Sequence, residues 1–274
     1  LAVVDRSRSM ASRGFGNAEV YLERLFERPR HVEFQVLGDR HGGAVHLFER
    51  DCSVQRRNQK VIEEAPAPTL ERSHVDAVAD RIAAIVREIG YDNIGTVEML
   101  MGADGEFSFL EMNTRLQVEH GVTEEVTGVD LVVAQIRSAA GEKLGAILPQ
   151  TITVTGHAIQ ARVYAEDPKN FFPSPGKLTV FRPPQDPSIR IETGYAEGRD
   201  VTPYYDPMIA KVIAHAASRE VAIERLAQAL AAFEIKGPKT NIPAVLAILR
   251  SEQFRSGQVH TGLLPEVLAQ QKKP

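Results

Sequence analysis

Glu111-Met112-Asn113-Thr114-Arg115-Leu116-Gln117-Val118-Glu119 is the stretch on which the reading of this sequence turns. Read as a strand, its side chains alternate faces, so Glu111, Asn113, Arg115, Gln117 and Glu119 share one face and Met112, Leu116 and Val118 the other. Such a polar face could simply be solvated. Glu, Asn, Arg and Gln are indifferent strand formers, however, and a strand facing only water more often carries Thr and Lys.

Just upstream, Asp104-Gly105 is a strong two-residue turn signal between strands expected over 95–101 and 106–119. If these two residues are the loop, Ala103 pairs with Glu106 and Glu98 lies directly opposite Glu111. Like charges facing each other across a ladder are destabilising. Two carboxylates held this way need a cation between them, or one keeps its proton. With Asn113 one step along, oxygen ligands converge as a hard ion such as Mg2+ requires. The candidate metal ligands are therefore Glu98, Glu111 and Asn113, with a salt-bridged or solvated face as the alternative.

Two further features stand out. Gln55-Arg56-Arg57-Asn58-Gln59-Lys60 packs three cations and three amides into a run that could hold phosphate, ribose or bicarbonate. A solvated charge run is the commoner origin of such a stretch. Arg162 interrupts a strand between Ala161 and Val163; a lone strand arginine is more often half-exposed and ion-paired than catalytic.

Around these lies an α+β pattern with mostly antiparallel sheets. Strands are expected over 19–26, over 31–37 with Val32, Phe34 and Val36 on one face, and over 44–48 after the Gly42-Gly43 turn. A polar loop is expected over 50–60. Helices are expected over 70–89, with Val75, Val78, Ile82, Ile85, Val86 and Ile89 inward, and over 131–140. Pro149 marks a seam between a unit over 14–150 and one over 151–274. The second unit reads as strands over 151–164, 189–192 and 207–214, with a Pro-rich loop over 167–177. Ser218 caps a helix with Val221, Leu226, Leu230 and Phe233 inward, and Asn241 caps another. Residues 1–13 are polar and without period, so they are expected to be irregular, like a cut edge.

Composition narrows the class without naming the chemistry. The 274 residues are 43% hydrophobic and 25% charged, with net charge −4. No basic field draws the chain to nucleic acid or an anionic membrane. A single cysteine, Cys52, excludes an internal disulfide and fits a reducing, cytoplasmic setting. No apolar run approaches the ~20 residues of a membrane span, and no signal peptide is visible. Gly14-Phe15-Gly16 lacks the strand and third glycine of a dinucleotide fingerprint, no Walker A sequence occurs, and no biotinyl-lysine motif is present.

Several long, ordered stretches resemble biotin carboxylase: Arg30-His31-Val32-Glu33-Phe34-Gln35-Val36, the run from Glu49 to Lys60, Glu63-Glu64-Ala65-Pro66, Glu111 to His120, Ala165-Glu166-Asp167-Pro168, Pro173-Ser174-Pro175-Gly176 and Pro203 to Met208. The resemblance covers about residues 14–265. It implies an ATP-grasp portion followed by a biotin carboxylase C-terminal domain. It implies that Glu98 and Glu111, with Asn113 nearby, hold Mg2+ or Mn2+ (two ions) on the phosphates of ATP, and that Lys60 lies near phosphate and bicarbonate. Glu23, Arg24 and Phe26 fall where the family's strand meets adenine, and His31 and Gln55 near the nucleoside. Arg115, Gln117 and the Val118 backbone fall in the bicarbonate cradle, Glu119 at the general base, and Arg162 where the biotin enolate is stabilised.

The implied reaction is carboxylation of biotin from bicarbonate and ATP through carboxyphosphate. The implied partners are a biotin carboxyl carrier protein, carboxyltransferase subunits and a second copy of the chain. The resemblance is to the subunit of acetyl-CoA or propionyl-CoA carboxylase, hence to fatty acid biosynthesis. Departures are Asn58 where some members carry His, and a Glu98-to-Glu111 connection one residue longer than in some. The family's N-terminal domain, front-lobe lysine and glycine-rich lid have no counterpart here, so this chain by itself is expected to bind ATP weakly and not to carboxylate free biotin. Another ATP-grasp ligase, such as a piece of carbamoyl-phosphate synthase, or an inactive remnant serving assembly, are the alternatives.

Overall fold

A computed structural model describes residues 1–270 of the chain. Its centre is one eight-stranded sheet, entirely antiparallel among the pairs described. A first helix, α1 (Ala2–Phe15), precedes it. Then come β1 (Arg30–Gly38), β2 (Ala44–Arg56), β3 (Gln59–Ala65), α2 (Arg72–Glu88), β4 (Asn93–Met101) and β5 (Phe107–Asn113). Helices α3 (His120–Thr127), α4 (Leu131–Ala139) and α5 (Leu144–Ile147) follow. Beyond them are β6 (His157–Tyr164), β7 (Gly176–Lys177), β8 (Val180–Arg182), β9 (Ile189–Glu192), β10 (Asp200–Val201) and β11 (Met208–Ala216). The described chain ends with α6 (Arg219–Ala232), β12 (Glu234–Lys236), α7 (Ile242–Arg250), α8 (Glu252–Arg255) and α9 (Leu263–Gln270).

The order β5-β4-β1-β2-β3-β6-β11-β9 carries the sheet straight past the Pro149 seam, because β3 pairs with β6 through Ile62 and Ala161. Helices from both parts of the chain cover the apolar side of the sheet, and Val54, Val61 and Ile62 of β2 and β3 belong to the core of the C-terminal part. Val32, Phe34, Val36 and Val97 pack with Val75, Ala79, Ile82 and Val86 of α2. Ile159, Ala161, Val163 and Val212 pack with Ile223, Leu226 and Leu230 of α6 and Val245 and Ile248 of α7. The alternation that buries these residues sends Glu33, Gln35, Gln160 and Arg162 to the opposite face.

Several expectations need correction. Residues 2–15 are helical, not irregular; α1 buries no residue, so no apolar period existed to reveal it, and its end is set by Gly16 in the left-handed conformation. Residues 19–26 form no strand: they pair with no other strand, and Tyr21, Leu22 and Leu25 are exposed. The expected loop over 50–60 is the end of β2, a two-residue turn at Arg57-Asn58, and the start of β3. Both turn residues have positive φ, 49° and 63°, as a tight hairpin requires. Polarity misled here because Arg50, Asp51, Ser53, Gln55 and Arg56 are buried among one another and their partners rather than solvated. On α2, Ile85 and Ile89 are 50% and 63% exposed, and on α6 Val221 is 45% exposed while Ala222 and Ile223 turn inward. The alternation expected from Thr151 becomes strand only at His157. Asn241 precedes α7 but makes no side-chain cap; it accepts from Tyr164 N–H at 2.8 Å and donates to the Arg162 carbonyl at 2.9 Å.

Candidate active site

Strand β5 stops at Asn113, and Glu119 is the residue on which α3 begins. The stretch expected to be one continuous strand is therefore a strand, a loop and a helix start. Arg115, Gln117 and Glu119 nevertheless face the same cleft. The cleft is about 660 Å³ in volume and lies over the polar face of the sheet, between β4–β5 and β6.

Glu98 does lie opposite Glu111, by a different route from the one expected. Met101 pairs with Phe107, so the connection runs from Gly102 to Glu106 and is wider than two residues; Gly105, at φ 81°, turns it. That alone would set the register one residue off. A bulge leaving Leu110 unpaired, between the pairs Glu98–Glu111 and Met99–Phe109, restores it. Glu98 Oε1 and Glu111 Oε1 both accept from Asn113 Nδ2, at 3.1 and 2.9 Å, so the two oxygens are no farther apart than the sum of those distances.

Glu98 is the more constrained of the pair. It accepts from Lys60 Nζ at 2.9 Å and from Gln117 Nε2 at 2.5 Å, and His31 Nε2 lies 2.9 Å from its other oxygen without the alignment of a hydrogen bond. Burial works to raise its pKa, but His31 and Lys60 outweigh burial and hold it at about 2. The site thus keeps one ionised carboxylate and a second, exposed one facing it. This donor set fits a divalent ion: two carboxylates, and an Asn113 amide that offers oxygen if it turns over.

Lys60 is the hub of the cleft floor. Its ammonium donates to Glu33 at 2.6 Å, Glu98 at 2.9 Å and Glu119 at 2.6 Å. Burial would lower its pKa, but these carboxylates, Glu33 foremost, raise it, so it stays charged. Glu119 is buried and divided between two cations, with Lys60 on one oxygen and Arg162 Nη2 on the other at 3.0 Å. Arg162 is anchored through its Nε to Glu63 at 2.5 Å, and Gln160 donates to the other Glu63 oxygen at 3.0 Å. Burial raises the Glu63 pKa against the opposing pull of Arg162.

Of the residues singled out from sequence, the cleft brings together Phe26, His31, Gln55, Lys60, Glu98, Glu111, Asn113, Arg115, Gln117, Val118, Glu119 and Arg162. Glu23 and Arg24 do not line it. Their segment is not a strand, and Arg24 lies over the Phe26 ring at 4.7 Å and pairs with Asp104 at 3.3 Å. Gln55 Nε2 meets His31 Nδ1 at 3.0 Å. Of the three cations in the 55–60 run only Lys60 lines the cleft, beside Gln55, Asn58 and Gln59; Arg56 turns back to Glu166, and Arg57 lies over Phe172. Glu33 and Arg50 were not foreseen. Arg50 is fully buried and donates to Glu33 at 2.6 Å, Gln35 at 2.7 Å and Thr123 at 2.9 Å. Burial raises the Glu33 pKa, yet Arg50 and Lys60 override it and bring it to about 2. The alternation of Val32, Phe34 and Val36 held the signal: it puts His31, Glu33 and Gln35 on the side facing Glu98.

Residues 1–147 match the family model described as carbamoyl-phosphate synthase L chain, ATP binding domain, and residues 160–266 match the biotin carboxylase C-terminal domain. The first match defines the class, an ATP-grasp fold. The second, directly following it, narrows the class: this chain belongs to the biotin carboxylase family. It is 47% identical over 262 residues to biotin carboxylase 2 of Bacillus subtilis, covering 96% of this chain and 59% of that protein. It is 44% identical over 281 residues to the propionyl-CoA carboxylase alpha chain of Ruegeria pomeroyi, covering 95% of this chain and 41% of that protein. The chain thus spans between about two-fifths and three-fifths of the length of these relatives. The solved biotin carboxylase domain dimer of Hydrogenobacter thermophilus 2-oxoglutarate carboxylase, in complex with MgADP, ADP and bicarbonate, superposes with a TM-score of 0.91 at 43% identity. That match covers 97% of this chain and 60% of that one.

Proposed function

We propose that this chain supplies the cleft in which bicarbonate and ATP carboxylate biotin, the first half-reaction of a biotin-dependent carboxylase. The observation that carries the reading is Glu119, a buried carboxylate held between Lys60 and Arg162 and reached from the face where Glu98 and Glu111 are paired. Arg162 belongs to the C-terminal part of the chain, so the base and its partner come from opposite sides of the seam. A carbamoyl-phosphate synthase piece would share only the first part.

In this reading bicarbonate rests against Arg115, Gln117 and the Val118 backbone, and Glu119 removes its proton. The bicarbonate oxygen then bonds to the γ-phosphorus of ATP, the bond to the bridging oxygen breaks, and ADP leaves with carboxyphosphate formed. Lys60 stabilises the charge that builds on the transferring phosphoryl. Carboxyphosphate yields carbon dioxide and phosphate. N1 of biotin loses its proton to the phosphate just released and bonds to the carbon, while Arg162 stabilises the negative charge on the ureido oxygen. A divalent ion held by Glu98 and Glu111, when bound, would draw charge off the phosphates. His31, Gln55 and Phe26 are placed for the nucleoside.

The biotin would arrive on a carrier protein, and carboxyltransferase subunits would take the product. A second copy of the chain would complete the assembly, and the setting would be the cytoplasm. No helix among the described residues is long and apolar enough to cross a membrane. Relatives named for different carboxylases share this segment, so the choice of acceptor would be made outside it. The test is ATP cleavage by the chain, by itself and mixed with the front half of a relative. Cleavage that requires both bicarbonate and biotin supports the reading; cleavage indifferent to bicarbonate overturns it.

A further inference from the structure

The sheet also sets two cations in direct register. Lys211 on β11 is directly opposite Arg162 on β6, so the two side chains leave the same face. Opposed cations weaken a ladder, and Lys211 is only 8% exposed. Each cation has its own carboxylate: Glu63 for Arg162 at 2.5 Å, and for Lys211 the next residue across the sheet, Glu192, at 2.5 Å. Each then has a donor to spare. Arg162 spends it on the Glu119 carboxylate at 3.0 Å, and Lys211 on the adjacent carbonyl, Val118 O, at 2.8 Å.

The loop receiving these two donors has little else to fix it. β5 has ended at Asn113 and α3 has not begun, so no ladder constrains residues 114–118. Beyond Lys211, the backbone of this stretch is held at the Gln117 carbonyl, by His120 N at 3.3 Å and His120 Nδ1 at 2.8 Å, and by a 3.3 Å contact of Arg115 to Leu116 O. Yet this loop places Arg115, Gln117 and Glu119.

We propose that Lys211 is a positioning residue for the anion-binding end of the cleft, acting through the Val118 carbonyl. The hydrogen bond fixes the peptide plane between Val118 and Glu119, and with it the direction in which Glu119 leaves the chain and the aim of the groups before it. A lysine suits the task because its three donors serve Val118 O and Glu192 together. The inference rests on the reading that this loop binds bicarbonate.

The test uses the full chain with Lys211→Met and Lys211→Arg. Binding of 13C-labelled bicarbonate is followed by NMR in the presence of MgADP, and MgADP affinity is measured calorimetrically on the same preparations. Glu192 keeps Arg190 as a partner, so the Met variant does not strand a carboxylate. Lys211→Met is expected to weaken bicarbonate about 10-fold, the scale of one charge-assisted hydrogen bond, with MgADP unchanged and Lys211→Arg recovering most of the loss. Unaltered bicarbonate affinity in Lys211→Met overturns the proposal. So does an equal loss of both ligands, which marks a packing role. If Lys211→Met does not fold, Glu192→Gln, which loosens Lys211 without removing it, is expected to weaken bicarbonate selectively and contradicts the proposal if it does not. A wild-type chain that binds MgADP but no bicarbonate fails the functional reading itself.

Discussion

Two like-charge pairs of the sheet, Glu98–Glu111 near one end of the cleft and Arg162–Lys211 near the other, solve the same electrostatic problem in opposite ways. The basic pair is closed. Each cation has a carboxylate partner within the sheet, and its remaining donors are used on the protein itself. The acidic pair is open. Glu98 is neutralised from within by Lys60, with His31 beside it, but Glu111 is exposed and accepts only from the Asn113 amide among the described side chains. A closed pair holds a loop in place. An open pair of carboxylates is poised for a cation from outside. Between them Lys60, Glu33 and Arg50 form a charged floor common to both.

The floor gives the largest expected effect. Arg50→Met leaves Glu33 buried with one counter-charge fewer, and removing one member of a buried pair costs about 3–5 kcal/mol. Urea unfolding should register that loss, whereas Arg182→Met, in an exposed pair with Glu234, should change stability by less than about 1 kcal/mol. Equal effects of the two would mean that the floor holds nothing together. Next, Glu119→Gln should lower biotin carboxylation by at least ~100-fold in an active preparation while leaving MgADP binding intact. Near-normal turnover would remove Glu119 from its role as base.

Glu111→Gln separates the two ends of the cleft. It should weaken nucleotide binding about 10-fold with Mg2+ present and leave metal-free nucleotide and bicarbonate binding unaltered. A variant that loses bicarbonate but keeps MgADP would reverse the assignment of the ends. Acid titration has the smallest effect at neutral pH. Glu33 and Glu98 have folded values of about 2 against ordinary values of 4.5, so their stabilisation is complete above 4.5 and fades as pH falls towards 2. Glu63, raised by burial, runs the other way. The melting temperature should therefore begin to fall below about pH 4.5, and Glu98→Gln should flatten that fall.

What the sequence disclosed, and what it hid, follows from how these residues are used. Glu98 opposite Glu111 was legible because like charges in register need a reason. The turn argument reached the right pair only because the Leu110 bulge offsets the wider connection, and neither feature has a sequence signal of its own. The β2–β3 hairpin was hidden because buried polar residues look like solvated ones until their partners are known, and those partners lie far away in sequence: Glu33 for Arg50, Glu63 for Arg162. Lys211 fell within a strand that was foreseen, but its importance depends on the register of β11 with β6, which no turn between them sets. The absence of a strand over 19–26 is the converse: the pattern was present, but no neighbouring strand pairs with it.

The open acidic pair is tested most directly by anomalous scattering from Mn2+ in crystals of the chain grown with ADP, Mn2+ and bicarbonate. The account predicts a peak bridging Glu98 and Glu111, with Asn113 oxygen turned towards it and Lys60 drawn away from Glu98. A peak seated instead among His31, Glu33 and Glu98, whose ligand atoms lie within 4.8 Å of one another, or no peak beside Glu111 at all, would contradict it.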